Sequence, residues 1–160
     1  MIRKKNRFSW PRKLYDKNRI KEENKLVEIY GLKNKREIWK AEAKVKYYRN
    51  RAKLLITSGS DEQSGFFAKL NGIGLNVKNI AEVLALNKED VLKRRLSTIV
   101  WKKNLAKTAR QARQMIAHRK VLVDSRAVDV PSYLVPVIYE DKISLKNSVR
   151  VKNTNVEKAE

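Results

Sequence analysis

The stretch from Arg94 to Tyr133 reads RRLSTIVWKKNLAKTARQARQMIAHRKVLVDSRAVDVPSY and carries the clearest structural signals in the chain. Thr108 followed by Gln111 forms a T-x-x-Q pattern, which is typical of a capping box at the start of a helix. From residue 121 the apolar period changes from that of a helix to that of a strand. One helical face is predicted to be buried: Ala109, Ala112 and Ile116. The order of these signals predicts helices followed by a small sheet, an α+β fold.

A β-hairpin is predicted directly after this helix. Val121–Val123 and residues 127–130 flank Asp124 and Ser125, and Pro131 ends the second strand. Tight hairpin turns favour glycine at the second central position because that position needs a positive φ. Ser125 stands there, so the turn is either of another type or mildly strained. More strand is predicted at 135–139 and at 143–145.

The residues before this stretch are predicted to be helical. A helix over residues 19–30 has Glu22 and Glu23 in its first turn and ends at Gly31. A second helix follows, and its apolar residues recur every three or four positions, which makes one buried stripe. These residues are Ile38, Ala41, Val45, Tyr48, Ala52 and Leu55.

Three asparagines indicate helix starts because each precedes an acid by three positions. Residues 58–64 are predicted to be a loop from their composition, and a short helix begins at Phe66 and is closed by glycines. Helices are also predicted over 80–86 and 88–96. The three pairs are Asn34 with Glu37, Asn79 with Glu82, and Asn87 with Asp90.

Charge limits the class of partner. Lys and Arg number 38 against 17 Asp and Glu, a formal net charge of +21. Residues 1–60 carry 19 basic and 6 acidic side chains, residues 61–120 carry 13 and 5, and residues 121–160 carry 6 of each. A compact protein with this charge repels itself unless a polyanion neutralises it. Nucleic acid is the stronger candidate and an anionic membrane surface the weaker one.

Composition and motifs also exclude several classes of protein. Without cysteine, disulfides, thiol catalysis and Cys-ligated zinc are excluded. No signal peptide and no apolar run long enough to span a bilayer are visible, so we expect a cytoplasmic protein without a membrane partner. No catalytic constellation appears, since Asp124 and Asp129 lack a clearly spaced partner acid and there is no Gly-rich phosphate loop. We therefore expect that the protein is not an enzyme and that it binds neither a cofactor nor a metal.

The region 94–145 resembles the RNA-binding domain found in ribosomal protein S-four. The resemblance lies in the order of its pieces, and it extends into the N-terminal half, where two segments are similar to archaeal and eukaryotic members of that ribosomal family. It covers roughly residues 1–146. The matching pieces are Arg94–Leu96, Lys102-Lys103, Leu105–Thr108, Arg110–Ile116, His118–Val123 and Val130–Tyr133, with Tyr30–Trp39 and Asp90–Leu96 in the N-terminal half.

The resemblance implies a mainly helical, basic N-terminal part and a C-terminal domain of two antiparallel helices packed on a small curved β-sheet. We expect a basic arm at 1–18, a helical domain at 19–93, the S-four-type domain at 94–146 and a polar tail at 147–160. The implied function is that of a structural constituent of the small ribosomal subunit. It would bind small-subunit rRNA early in assembly, as a monomer beside other small-subunit proteins, where messenger RNA enters.

The same residues predict a cationic RNA-binding surface. Arg110 and Arg113 share a helix face and can present two planar forks to phosphates, while Gln111 and Gln114 can bond ribose hydroxyls. The C-terminal contacts predicted are Arg94, Arg95, Lys102, Lys103, Lys107, Thr108, Arg110, Gln111, Arg113, Gln114, His118, Arg119 and Lys120. The N-terminal contacts predicted are Arg3, Lys4, Lys5, Arg7, Arg12, Lys13, Lys35, Arg36 and Arg49.

Two alternatives stay open at this point. The same domain occurs in RNA-modifying enzymes, so the chain can be the RNA-binding module of a non-ribosomal RNA-processing or RNA-modifying protein. A general nucleic-acid coat explains the charge but not the ordered run from Arg94 to Tyr133. Among the aromatic residues, Trp39 and Tyr47 can stack on bases, and Tyr48 is predicted to be core. No role is predicted for Trp10 or for Trp101.

Overall fold

The structure, a computed structural model, describes residues 8–146. The predicted contacts Arg3, Lys4, Lys5 and Arg7 and the predicted tail at 147–160 lie outside these residues. Helices dominate, with one small sheet near the C-terminal end. The elements are α1 (Lys17–Tyr30), α2 (Arg36–Leu55), α3 (Ser60–Ile73), α4 (Ile80–Ala85), α5 (Lys88–Lys93), α6 (Leu96–Lys102), α7 (Ala109–Ala117), β1 (Val121–Val123), β2 (Arg126–Ala127), α8 (Val137–Glu140) and β3 (Ile143–Leu145).

The N-terminal elements share one hydrophobic core. The stripe predicted on α2 is confirmed, because its members are buried and Tyr48 packs against the same core. The helix α2 packs chiefly against α4 and α5. Residues of α1, α3 and α5 complete this core, among them Leu26, Leu70 and Leu92. No helix among residues 8–146 combines the length and the apolar character needed to cross a bilayer.

A second core lies under the C-terminal elements. The helices α6 and α7 pack on each other, and their apolar residues join those of a three-stranded antiparallel sheet with the order β2-β1-β3. Register is fixed by the pairs Leu122 with Ala127 and Val123 with Ile143. Helices on one small sheet confirm the α+β fold.

Two predictions near the C-terminal domain are wrong. The strand predicted at 135–139 is absent: Val135 has no regular structure and its N–H donates to the Arg94 carbonyl at 3.1 Å, and Pro136 caps the short helix α8 that begins at Val137. The helix predicted at 88–96 breaks after Lys93. Arg95 has extended backbone there and forms an isolated β-bridge with Leu134.

Other element starts differ from the predictions. The loop predicted at 58–64 is wrong from Ser60 onward, where α3 begins with acids favourable to its dipole. The helix α1 begins at Lys17 under an Asp16 cap, so Glu22 and Glu23 lie beyond its first turn. Asn34 and Asn79 do not cap with their side chains, whereas the Asn87 N–H donates to Asp90 at 2.9 Å as the pattern predicts.

The hairpin turn distinguishes between the two alternatives for Asp124-Ser125. Asp124 has φ 49° and Ser125 has φ 67°. Positive φ at both central residues of a two-residue loop is the type I′ turn. Ser125 therefore carries the strain of a side chain in left-handed backbone, and the alternative of another turn type is wrong.

Candidate RNA-binding surface

The start of α7 carries the cap that the sequence predicts. The Thr108 hydroxyl accepts a hydrogen bond from the Gln111 N–H at 3.1 Å. The Gln111 side chain returns to accept from the Lys107 N–H at 2.8 Å, one residue before the amide that a standard capping box uses. Both side chains are thus engaged in holding the helix start.

The end of α1 lies directly against this helix start. Gly31 ends α1 with φ 59°. A Cβ on this residue would lie 2.8 Å from the Ala109 carbonyl carbon and 2.8 Å from the Arg110 nitrogen. Because only glycine combines left-handed backbone with this approach, Gly31 sets how α1 meets α7.

A row of exposed polar and basic side chains runs along α7, and we call it the α7 stripe. Arg110 and Gln114 lie four residues apart on one side of α7, whereas Lys107 precedes the Thr108 cap and His118 follows the last helical residue. Lys102 at the end of α6 and Lys120 after α7 are also exposed. The stripe consists of Lys107, Arg110, Gln114 and His118, all exposed.

Glu37 of α2 joins the two cores through two arginines. Its Oε1 accepts from Arg113 Nη2 at 2.7 Å, and its Oε2 accepts from Arg113 Nη1 at 3.0 Å and from Arg95 Nη2 at 2.5 Å. Burial raises the pKa of Glu37, but the hydrogen bonds and charges of Arg113 and Arg95 outweigh it, so the pKa lies below its usual value. The side chains of Arg95 and Glu37 are 5% and 16% exposed, so this pair is largely shielded from solvent.

Arg94 joins the same two parts of the chain at a second place. Its Nε donates to the Ile73 carbonyl at 2.8 Å, its Nη2 to the Val135 carbonyl at 3.0 Å, and its Nη1 to the Glu140 carboxylate at 2.9 Å. Gly74, with φ 86°, lets the guanidinium approach so closely that a Cβ would lie 2.6 Å from its Cζ. Arg94 thus ties the end of α3 to α8.

Several residues predicted to contact RNA have protein partners. The expectation that Arg110 and Arg113 both offer free forks is wrong for Arg113, because its fork holds Glu37. Lys103 donates to the Glu140 carbonyl, Arg119 pairs with Asp129 at 3.0 Å, Lys35 pairs with Glu23 at 3.4 Å, Arg49 donates to the Leu86 carbonyl at 2.6 Å, and Arg36 lies 5.4 Å from the Trp10 ring centre. Arg12 and Lys13 are exposed. RNA contact by each of these residues stays a prediction.

Trp39 faces the protein, contrary to the stacking role considered for it. Its Nε1 donates to the buried Glu23 carboxylate at 2.9 Å. The rings of Phe8 and Trp10 lie 5.9 and 5.2 Å from its ring. Phe8 and Trp10 of the basic arm therefore pack onto α2, and Trp101 packs against the C-terminal core.

Comparisons with known proteins agree with this architecture. The S4 domain matches residues 94–137. The small ribosomal subunit protein uS4 of Methanococcus aeolicus is 41% identical over 150 residues, covering 89% of this chain and 85% of that protein. The uS4 protein of Methanothermobacter thermautotrophicus is 41% identical over 154 residues, covering 92% and 90%. This chain belongs to the uS4 family. The uS4 protein of Halobacterium salinarum, 40% identical over 86% of this chain, also fits the archaeal branch predicted from Tyr30–Trp39 and Asp90–Leu96.

The sequence patterns of this uS4 family member did not predict that one group of residues comes together around a cavity. Lys40 and Lys44 of α2 lie with Glu37, Arg95 and Arg113 around a cavity between the two cores. A signal was available, since positions 37, 40, 41 and 44 lie on one side of α2. Across residues 8–146 no group of three or more His, Cys, Asp or Glu side chains could hold a metal ion.

Proposed function

We propose that this chain is a structural constituent of the small ribosomal subunit and that it binds small-subunit rRNA through the α7 stripe. Membership of the uS4 family and the match to the S4 domain support this. The observation that carries the binding face is the α7 stripe, where the exposed side chains of Lys107 and Arg110 lie at a helix start that Gly31 and Thr108 hold in place. Phosphates would be bound by Lys107 and Arg110, and ribose hydroxyls by Gln114.

Some residues that were predicted to contact RNA are bonded to other residues of this protein, and they have a different role in this proposal. Arg94, Arg95 and Arg113 join the helical part at 19–93 to the S4 domain at 94–146, which fixes the α7 stripe relative to the basic residues of the helical part. Shape recognition of folded RNA depends on such fixed spacing. We place Lys102 and Lys120 beside the stripe, with Arg12, Lys13 and Arg36 as contacts of the N-terminal part.

The finer parts of the proposal concern the surroundings of the protein. We propose that it joins the subunit early in assembly as a cytoplasmic, non-catalytic monomer, close to where messenger RNA enters. The C-terminal part, residues 121–160, carries no net charge, and Val137 and Ile138 of α8 are 46% and 75% exposed. These two features support contact of that side with neighbouring small-subunit proteins rather than with RNA.

The test combines sedimentation with charge reversal. The protein should co-sediment with small subunits in a sucrose gradient at high salt, and Lys107→Glu with Arg110→Glu should weaken binding to an rRNA fragment at least tenfold. The salt slope should fall by about 2, one for each phosphate that the variant no longer neutralises. Lys69→Glu with Lys78→Glu, at two exposed positions outside the stripe, is the control with the same change of charge. If the two double variants weaken RNA binding equally, the stripe is not part of the binding site.

A further inference from the structure

A half-open cavity of about 390 Å³ lies at the seam between the two cores. Its floor is apolar and comes from both parts of the chain, with Ala41 on α2, Val91 on α5 and Leu134 beside the β-bridge. The N-terminal core buries Ala41 and Val91. Its volume falls in the range of pockets that enclose small organic molecules.

The walls of this cavity are cationic. Lys40 and Lys44 lie one turn apart on α2, and Arg95 and Arg113 reach it from the S4 domain. Glu37 is the single acid among the lining residues, so their formal charge is +3. Since both arginines bond Glu37 and its pKa is lowered, this carboxylate stays ionised and holds the Arg113 guanidinium at the cavity wall.

We propose that this cavity binds one unpaired nucleotide of the RNA, with its base on the apolar floor and its phosphate at Lys40, Lys44 and Arg113. The inference rests on the proposed function, because it places a nucleotide of the bound RNA in a second site beside the α7 stripe. The apolar floor would contribute nothing to the binding of a phosphate alone. The four cationic side chains would contribute nothing to the binding of an uncharged apolar ligand. Bases that leave the helical stack are the usual targets of sequence-dependent RNA recognition.

The nucleotide would touch both parts of the chain at once. Ala41 and Lys40 belong to α2, whereas Arg113 belongs to α7 and Ser132 lies in the segment that follows β2. Binding here would therefore depend on the placement that Glu37 fixes. In this proposal the carboxylate orients Arg95 and Arg113, while the lining as a whole keeps its formal charge of +3.

The experiment uses the full-length protein and tests separately whether binding needs the free volume of the cavity and whether it needs the charge of the cavity walls. Ser132→Trp fills the cavity at an exposed lining position without changing charge, and Ser144→Trp, exposed on β3, is its control. Lys40→Ala with Lys44→Ala removes wall charge, and Lys46→Ala with Lys53→Ala on the same helix is the matched control. Affinity for an rRNA fragment is measured together with chemical probing of its unpaired bases, and circular dichroism confirms the fold.

We expect Ser132→Trp and the Lys40/Lys44 variant each to weaken binding about tenfold, while both controls stay within about twofold of wild type. In the probing experiment, one unpaired base protected by the wild-type protein should become reactive with Ser132→Trp, while other protections remain. A weaker affinity with the lysine variant but not with Ser132→Trp would mean a surface phosphate contact only and would overturn the proposal. Four variants that bind alike would also overturn it. Failure of the wild-type protein to bind rRNA would instead refute the proposed function.

Discussion

Replacing Glu37 by alanine removes the carboxylate that Arg95 and Arg113 share. Breaking a buried ion pair by removing one partner costs about 3–5 kcal/mol, because it leaves a buried charge without compensation. The lower end applies here, since Arg95 is 5% exposed but Arg113 is 24% exposed and can turn to solvent. We expect a decrease of about 3 kcal/mol in the free energy of unfolding, or about 6–12 °C in Tm for a chain of this size.

The assay is urea unfolding followed by circular dichroism, with wild type and variant at the same ionic strength. Glu42→Ala, an exposed glutamate on the same helix, is the control and should change stability by no more than about 0.5 kcal/mol. If Glu37→Ala is no more destabilising than Glu42→Ala, the joint between the two cores contributes nothing measurable and the reasoning fails.

The ion pairs of Glu37 with Arg95 and Arg113 also make the free energy of unfolding depend on pH, and the sign of this dependence follows from the pKa of Glu37. The pKa of Glu37 is lowered in the folded state, so the unfolded chain binds the proton more readily. The stabilisation is fully present above the ordinary value of 4.5 and is lost as pH falls through the lower folded-state pKa. The difference in stability between wild type and Glu37→Gln should therefore shrink below about pH 4.5. A difference that grows on acidification would show that folding raises the pKa of Glu37 and would contradict the reasoning.

Three further changes test the start of α7 and the hairpin. Gly31→Ala should cost at least about 1–2 kcal/mol in urea unfolding because of its positive φ and its approach to Ala109, whereas Gly72→Ala, in an open helical position, should stabilise by about 0.5–1 kcal/mol. Thr108→Ala should cost about 1 kcal/mol and Thr108→Ser much less, and equal costs for the two variants would contradict the cap. Ser125→Gly should raise stability by about 0.5–1 kcal/mol in thermal unfolding, and a decrease would contradict the type I′ turn.

The elements that local patterns determine were predictable. The cap at Thr108 and the buried stripe of α2 depend on residues three or four positions apart, so the sequence displays them directly. The strand β1 follows from its apolar run and the turn beside it. In each of these cases the interactions that decide the structure lie within one or two helical turns or one hairpin.

Features decided by distant residues were missed. The segment 135–139 has the composition of a strand, but the Val135 N–H and carbonyl both bond Arg94, 41 positions away, and Pro136 favours a helical turn. Glu37 resembles half of a capping box because its neighbour Asn34 fits that pattern. Its partners Arg95 and Arg113 lie 58 and 76 positions further on, and no local period connects them. The candidate site shares this limit, since its exposed lysines were identified whereas Arg95 and Arg113, two of the arginines predicted to contact RNA, are bonded to Glu37.

The separation between Glu37 and its partners also orders events during synthesis. The N-terminal core uses buried residues between Leu26 and Leu92, so it can close before the S4 domain has been made. Arg113 is added 76 residues after Glu37, about 4–15 s later at ordinary rates of elongation. The core itself is complete only when Leu92 has been added, 21 residues before Arg113. Arg95 follows Leu92 by three residues, so Glu37 would gain its first arginine as the N-terminal core closes and its second only when α7 arrives.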